Sequence, residues 1–383
     1  FNVSLIGDVQ TLNEVVVVGY GEQKKETMTG SVSNIKGEEL TKSPSTNVTT
    51  SLAGRLPGLF VNQRNGVPGR ENLDIMIRGL NTMDSNPNDN INPNAPLIII
   101  DGVPRDNLSR LNPHDIESIS VLKDGSAAIY GARGANGVIL VTTKEGSQGA
   151  PTFGVSYGYA LTKPTKIPDM LDAATFAEVY NEAEWYRQGR PDMGSFNPFF
   201  SADAIQKYRD GSDPVLYPNT DWADLVTKDY SHQHRVNLQA SGGSEKVRYL
   251  LSFGMTDQDG NFENDPTNYR QYNTRVRVDV DLTDHLTVGA NINGIINERN
   301  YPGQPNVNPA LPPYDFVNLL QSNPTLVARY PNGLLAPGRF RNNPLLLDQS
   351  GFNKIQDYPL NTTFTASYTA PFLEGLTVGA SYN

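Results

Sequence analysis

The sequence predicts a two-part, β-rich protein: a compact α+β block up to about residue 146, then long antiparallel strands suited to a transmembrane β-barrel. Three observations predict it. Short apolar strand signals alternate with one- or two-turn helix signals between residues 31 and 146. Beyond Ala150 the pattern changes to period-2 runs of about 9–12 residues, long enough for a tilted span. The composition is turn-rich and Tyr-rich, with 34 Gly, 27 Pro and 18 Tyr against 2 Trp in 383 residues.

In the first block the strand signals are Leu59–Gln63, Asp74–Arg78, Leu97–Asp101, Ser118–Leu122 and Val138–Thr143. Asn112 reads as a helix N-cap with Pro113 at the first helical position. Asp124-Gly125 leads into one or two turns ended by Gly131. The segment from Asn81 to Pro96, dense in Asn, Asp and Pro, reads as a surface loop.

In the second block, Phe153, Val155, Tyr157, Tyr159 and Leu161 alternate with small residues. Val236, Leu238 and Ala240 form one face of the next run, and Val247, Tyr249, Leu251, Phe253 and Met255 one face of the third. Val276, Val278, Val280 and Leu282 alternate with Arg275, Arg277, Asp279 and Asp281. Further runs start at Leu286 and Phe364. Each such strand has one apolar and one wet face. A sandwich would bury the apolar faces against each other, whereas a barrel would turn them to lipid and the polar faces to its lumen. Connections alternate between short (Gly242–Lys246, Leu282–Leu286) and very long (Thr162–Gln233, Glu298–Tyr358), which is the asymmetry of a membrane barrel. The long ones carry helix signals, Asp172 capping Ala173–Gln188 and Ser201 capping Ala202–Asp210. About seven strands are legible, an odd number for a bacterial barrel. Together with Phe1 at the start and a strand running to Asn383, this leads to the expectation of a segment from a longer mature chain.

The net charge of −10 makes general nucleic-acid binding a poor expectation. No apolar run reaches the roughly 18 residues of a transmembrane helix. The absence of Cys excludes disulfides, thiolate metal sites and a Cys nucleophile. His232 and His234 share a strand face, but one pair supplies two of the usual four metal ligands, and they are read as structural. His114 and His285 stand alone. The LIIID segment Leu97–Asp101 has the look of a nucleotide-site strand, yet no phosphate-binding loop accompanies it. Gly131, Gly134 and Gly137 are not at dinucleotide spacing and lead into a strand. The loop from Asp84 to Asn94 lacks the Gly and final Glu of a calcium loop. No catalytic triad or paired carboxylates emerge, so the expectation is a non-enzyme without cofactor or metal. Glu14–Val18, EVVVV, has extreme β-propensity. It reads either as an ordinary buried strand or as a tethered strand offered to another protein's sheet edge.

The segment LNEVVVVGYGEQKKETMTGSVS resembles the start of SusC/RagA-type TonB-dependent outer-membrane transporters. The resemblance continues through Ser51–Val61, DIMIRG (Asp74–Gly79), PLIIIDGVP (Pro96–Pro104), Leu111–Lys144, Asn219–Val226 and the strand pair from Gln233 to Gly254. It implies a tail of an upstream domain at 1–13, a TonB box at Glu14, Val15, Val16, Val17 and Val18 with a linker to residue 30, a plug at 31–146, and at 147–383 the first part of a 22-stranded barrel. It implies plug signature positions at Arg78, Gly79, Asp101, Gly102, Lys123, Asp124, Gly125, Tyr130, Gly131, Gly134 and Gly137. Lys123-Asp124-Gly125 stands where many such receptors carry Arg-Gly-Pro, so the siderophore receptors' plug–barrel charge cluster is not carried over. Arg78, an Arg among strands expected to be buried, is expected to find a carboxylate on the barrel wall, or else to be a surface Arg at a strand end. The implied partners are TonB in the periplasm, a SusD-like surface lipoprotein, outer-membrane lipid and a glycan or peptide substrate. The implied location is the outer membrane of a Gram-negative, Bacteroidota-type envelope. Trp185, Tyr186, Tyr208, Tyr217 and Trp222 are candidates for stacking on sugars, with plain aromatic packing or an interfacial girdle as the alternative. The rival to import is a surface adhesin without transport.

Overall fold

The computed structural model describes residues 15–18, 21–24, 32–43, 45–63, 66–69, 73–81, 92–108, 110–123, 125–192, 194–263, 267–303, 322–338, 343–349, 351–373 and 375–383. Glu14 and Asp124 lie outside the described residues, as do the expected tail at 1–13 and most of the loop from Asn81 to Pro96.

At the start, β1 (Val15–Val18) and β2 (Gly21–Lys24) form an antiparallel pair. An inner domain follows: β3 (Val32–Lys36), α1 (Gly37–Thr41), α2 (Val48–Ser51), β4 (Leu59–Gln63), β5 (Leu73–Ile77), β6 (Leu97–Ile100), β7 (Val103–Arg105), β8 (Ile116–Leu122) and β9 (Val138–Thr143). Five strands make one sheet in the order β3-β8-β9-β6-β7, in which β6 and β9 run parallel; β4 and β5 form a separate hairpin. The core sits under α1 and α2, where Leu40, Val48, Leu52, Ile116, Ile119 and Ile139 are fully buried. β9 is apolar on both faces from Val138 to Val141 because both faces are covered there, whereas β8 carries an exposed Glu117. Asn47 caps α2 by accepting from the Thr49 amide at 2.9 Å. Asn112 caps the 3-10 turn Pro113–Asp115 by accepting from the His114 amide at 3.1 Å.

Then comes β10 (Gly149–Thr162), α3 (Ala173–Arg187), α4 (Ala202–Asp210), α5 (Trp222–Val226), β11 (Ser231–Gly243), β12 (Val247–Asp259), β13 (Asn268–Thr283), β14 (Leu286–Pro302), β15 (Phe352–Asp357), β16 (Leu360–Thr369) and β17 (Thr377–Tyr382). β10 to β17 form one antiparallel wall in sequential order. β15 and β16 pair with successive stretches of β14, from Pro302 down to Asn297 and from Gly294 down to Leu286, so eight segments make seven passes. The connection expected from Glu298 to Tyr358 is corrected: β14 runs on to Pro302 and β15 resumes at Phe352. Those ends are polar on both faces and carry no hydrophobic period to read.

The register fixes which side of the wall is apolar. One row across five strands is Tyr157, Val236, Met255, Tyr272 and Ile296, and a lower one ends the face at Leu286 and Tyr368. Between Leu286 and Ile296 a strand tilted by roughly 40° climbs about 25 Å, the height of a barrel's lipid-facing band. Nothing among the described residues packs on this face, and Phe153 and Val155 are 80% and 77% exposed on it. The sandwich alternative therefore fails. The opposite face is polar and buried: Gln271, Asn273, Arg275 and Asp279 of β13 are each under 9% exposed. The inner domain covers it.

The helices stand in the long connection where expected. Asp172 caps α3 through the Thr175 amide at 3.0 Å, and Ser201 caps α4 through the Ala204 amide at 3.2 Å; Gly211 ends α4 in the left-handed region.

Candidate functional site

The seam between the inner domain and the wall holds the buried polar chemistry. At its centre, Arg275 of β13 is 2% exposed. Its Nε donates to Asn291 Oδ1 at 3.0 Å and its Nη1 to the Asp115 carbonyl at 3.4 Å; Nη2 donates to Thr143 Oγ1. Asp101 faces it at 4.0 Å and accepts from the Thr143 amide at 2.9 Å, the Thr143 hydroxyl at 2.5 Å and Asn291 Nδ2 at 3.3 Å. A charge this deep requires its donors to be met, and every contact here serves that need. Beside it, Arg277 bridges Asp279 at 2.9 Å and Glu145 at 2.6 Å.

Away from this centre several wall side chains donate to inner-domain backbone carbonyls. Arg235 reaches the carbonyls of Ser45 at 3.0 Å and Ser43 at 3.3 Å. Gln271 and Asn273 both donate to the Arg110 carbonyl, at 2.9 and 3.0 Å. The Tyr301 hydroxyl donates to the Pro68 carbonyl at 3.1 Å. Other contacts run between side chains: Asn112 Nδ2 to Asn237 Oδ1 at 2.8 Å, Ser156 Oγ to His114 Nε2 at 3.5 Å, and Arg110 to Asp357 at 3.5 Å. A cavity of about 250 Å³, lined by Asp101, Arg110, Asp115, Arg275, Asn291 and Asn361 among others, lies in the seam. A second of about 180 Å³ lies beside His114 and Arg235. Burial pushes the Asp115 carboxyl up, against the pull of Arg275 and Lys144, and its Oδ1 has no hydrogen-bond partner among the described residues. Burial, then Lys144 and Arg235, hold the His114 imidazole below its ordinary value.

The sequence-predicted positions fall into separate places. Asp101 and Gly102, at φ 49° and 82°, form the two-residue turn joining β6 to β7. The strand that ended like a nucleotide site is thus a hairpin whose Asp doubles as the acceptor at the seam. Lys123 sits at the far end of the inner sheet, its Nζ donating to Ser33 Oγ at 2.6 Å and to the Pro57 carbonyl. There Gly137 has φ 87°, and a Cβ on it would stand 2.7 Å from Ile77 Cδ1, so the close approach demands glycine. Gly125, Tyr130, Gly131 and Gly134 lie in the 3-10 stretch before β9, kinked at Gly131; Tyr130 packs on the cluster of Leu122, Val138 and Leu140. Val15–Val18 form β1, paired along one edge with β2.

Arg78 corrects an expectation. It is exposed and lies just past β5 with φ 63°, its amide donating to the Gly58 carbonyl at 2.8 Å, and Gly79 follows at φ 99°. A left-handed residue at a strand end turns outward. The buried arginine of the seam is Arg275 instead, which the sequence showed only as one polar position in an alternating run. Of the aromatic candidates, Trp222 is 2% exposed and donates to the Asn323 carbonyl at 2.9 Å, and Tyr208 packs edge-on against Phe200 and Tyr217. Trp185 donates to the Pro191 carbonyl at 2.8 Å. Tyr186 is half exposed beneath the Arg190 guanidinium. Packing accounts for most of them. Among the described residues no group of three or more His, Asp or Glu is placed to hold a metal.

Residues 24–138 match the TonB-dependent Receptor Plug Domain. The chain is 34% identical over 313 residues to the TonB-dependent receptor SusC of Bacteroides thetaiotaomicron, covering 78% of this chain and 28% of that protein. It is 35% identical over 298 residues to TonB-dependent receptor P26 of Formosa agariphila, covering 76% of this chain and 27% of that protein. The chain thus spans under a third of these relatives' length. Among solved structures it is similar to the RagAB peptide importer in its open-open state, with a TM-score of 0.70 at 26% identity over 96% of this chain and 42% of that one.

Proposed function

We infer a part in TonB-dependent import for this chain, which belongs to the SusC/RagA-type TonB-dependent receptors. In this reading residues 31–146 are the plug, and residues 147–383 supply the first strands of the outer-membrane barrel that the plug closes. The whole receptor takes up oligosaccharides or oligopeptides, working with a SusD-like lipoprotein at the surface and with TonB in the periplasm. Glu14–Val18 form the TonB box, which offers its backbone to an edge strand of TonB. The signature positions Asp101 and Gly102 shape the seam, and Lys123, Gly134 and Gly137 the opposite end of the plug.

The observation that carries this reading is the make-up of the seam. The plug has its own hydrophobic core and meets the wall through polar contacts, to plug carbonyls and to plug side chains. Each such bond contributes about 1 kcal/mol net and has water as a ready replacement. A seam of that kind holds a plug in place yet lets a pull on its N-terminal segment shift it without exposing apolar surface. A structural adhesin has no use for such a joint.

Deleting Glu14–Val18 from the complete receptor tests the reading. Uptake should be lost while protein level and substrate binding stay near normal. Val16→Pro should act alike, since it removes one ladder donor, and Val17→Ile should be tolerated. Normal growth on the imported nutrient without the segment, in a strain with no bypass transporter, would refute the coupling. A fall in protein level and binding together would mark the segment as a structural strand.

A further inference from the structure

The outer face of the wall carries a polar cluster that transport does not use. Above the row Tyr157, Val236, Met255, Tyr272, Ile296, the next row is Tyr159, His234, Asp257, Arg270 and Glu298. The apolar band ends there, at the end of the strands from which the long connections leave. Across β12 to β14 this row is self-neutralising: Arg270 donates to Asp257 at 3.0 Å, and Glu298 faces Lys354 at 3.7 Å. On β10 and β11 it is different. Tyr157 and Tyr159 meet His234 and His232 through hydroxyl to Nδ1 contacts of 3.0 and 2.6 Å, with the Tyr159 and His232 rings stacked at 5.9 Å. The Lys163 ammonium lies 5.9 Å over the Tyr230 ring just above. His232, His234 and Lys163 are all exposed.

A tyrosine hydroxyl donating to Nδ1 leaves the ring proton on Nε2. In that tautomer each imidazole has one further donor at Nε2, and Nε2 of neither His has a partner among the described residues. Two imidazole Nε2 positions and an ammonium, with Tyr rings on the side toward the apolar band, stand at headgroup depth. Asp257, opposite His234 on β12, is already engaged by Arg270 and by Asn268 at 2.8 Å. In a chain of net charge −10 such a patch is a local exception.

We propose that His232, His234 and Lys163 form a docking site for the phosphate of a phosphorylated lipid headgroup in the leaflet that faces the long connections. The tyrosines set the imidazole tautomer and bury their rings against the acyl chains below, and the three donors take the phosphate oxygens. The site rests on the barrel fold alone and is independent of the import reading.

The test uses the complete receptor, delipidated and placed in nanodiscs of bis-phosphorylated lipid A or of the same lipid after phosphatase treatment. Lipid retained per protein is counted by native mass spectrometry. The variant His232→Phe, His234→Phe, Lys163→Met keeps ring packing and stem length, and unshifted heat-modifiable mobility confirms that it folds. The wild type should retain the phosphorylated lipid about tenfold better than the variant, as loss of charge-assisted bonds requires. It should show no such preference for the dephosphorylated lipid. Equal retention by wild type and variant would overturn the site. So would retention that ignores the phosphate, or displacement by inorganic phosphate as effective as by phosphorylated lipid.

Discussion

The plug and the wall use the same residue types in opposite ways. In the plug, Ile119, Val121 and Ile139 are fully buried, and the charged residue that is buried, Asp115, lies at the seam. In the wall, Leu251, Ile292 and Ile296 are 45%, 40% and 42% exposed, while Arg275, Asn297 and Asp279 are buried at 2%, 1% and 8%. The plug follows the hydrophobic effect in water. The wall is inverted because its outer solvent is lipid and its inner face must satisfy the polar surface of the plug. The comparison teaches that burial alone does not identify a core: most of the wall's buried residues are polar, though Leu250 is as deeply buried, and removing a partner of Arg275 strands a charge rather than opening a cavity.

The largest effect that sharpens this contrast is expected in the plug. Ile119→Ala should cost about 4 kcal/mol of plug stability, measured by urea denaturation of the complete receptor, while Leu251→Ala on the wall should cost little in detergent or lipid. If Leu251→Ala proved as costly, the outer face would be packed against protein. Next, Arg275→Met removes the cation that faces Asp101 and the donor to the Asp115 carbonyl, and should weaken the plug–wall seam by about 3 kcal/mol. Faster hydrogen exchange along β6, β7 and β9, with the wall strands unchanged, is the expected readout. Third, Val276→Arg on the lipid face, near mid-height, should cost about 2–3 kcal/mol in bilayers. The same charge one position away, at Arg275, is native.

The smallest effect is a pH dependence. His114 has its pKa lowered in the folded state by burial and by Lys144 and Arg235, so the folded plug binds its proton less readily than the unfolded chain does. Its contribution is intact above the ordinary value of 6.5 and is lost as pH falls below it. With the ring partly open to solvent, screening holds the loss below about 1 kcal/mol. His114→Gln should flatten the stability profile between neutral and mildly acid pH. An unchanged profile would place the proton linkage elsewhere, with Asp115 acting in the opposite sense because burial raises its pKa.

Much of the architecture was legible. Long period-2 runs gave the wall strands and their faces, and the capping pairs Asp172–Thr175 and Ser201–Ala204 gave α3 and α4, because both signals are local. The short strands β3 and β7 and the polar β15 were not legible: three to six residues without a clear period carry too little information. Asp101-Gly102 was not singled out as a turn, although the dipeptide itself is a hairpin-turn signal. Arg78 drew notice because it follows DIMI, yet it lies just past the strand, exposed and with a left-handed backbone.

What the sequence determined by itself was the alternation of each wall strand, the caps of its helices and the glycines that permit tight turns, since those depend on neighbours a few residues away. Tertiary structure alone decided which polar face met the plug and with whom. Arg275 meets Thr143 across 132 residues of chain, and Arg235 meets Ser45 across 190. The alternation marks Arg275, Arg277 and Asp279 equally as inward. Only the seating of the plug against β13 makes the first of them the buried centre of the seam, because desolvation and donor geometry are fixed by the surface that comes to lie opposite.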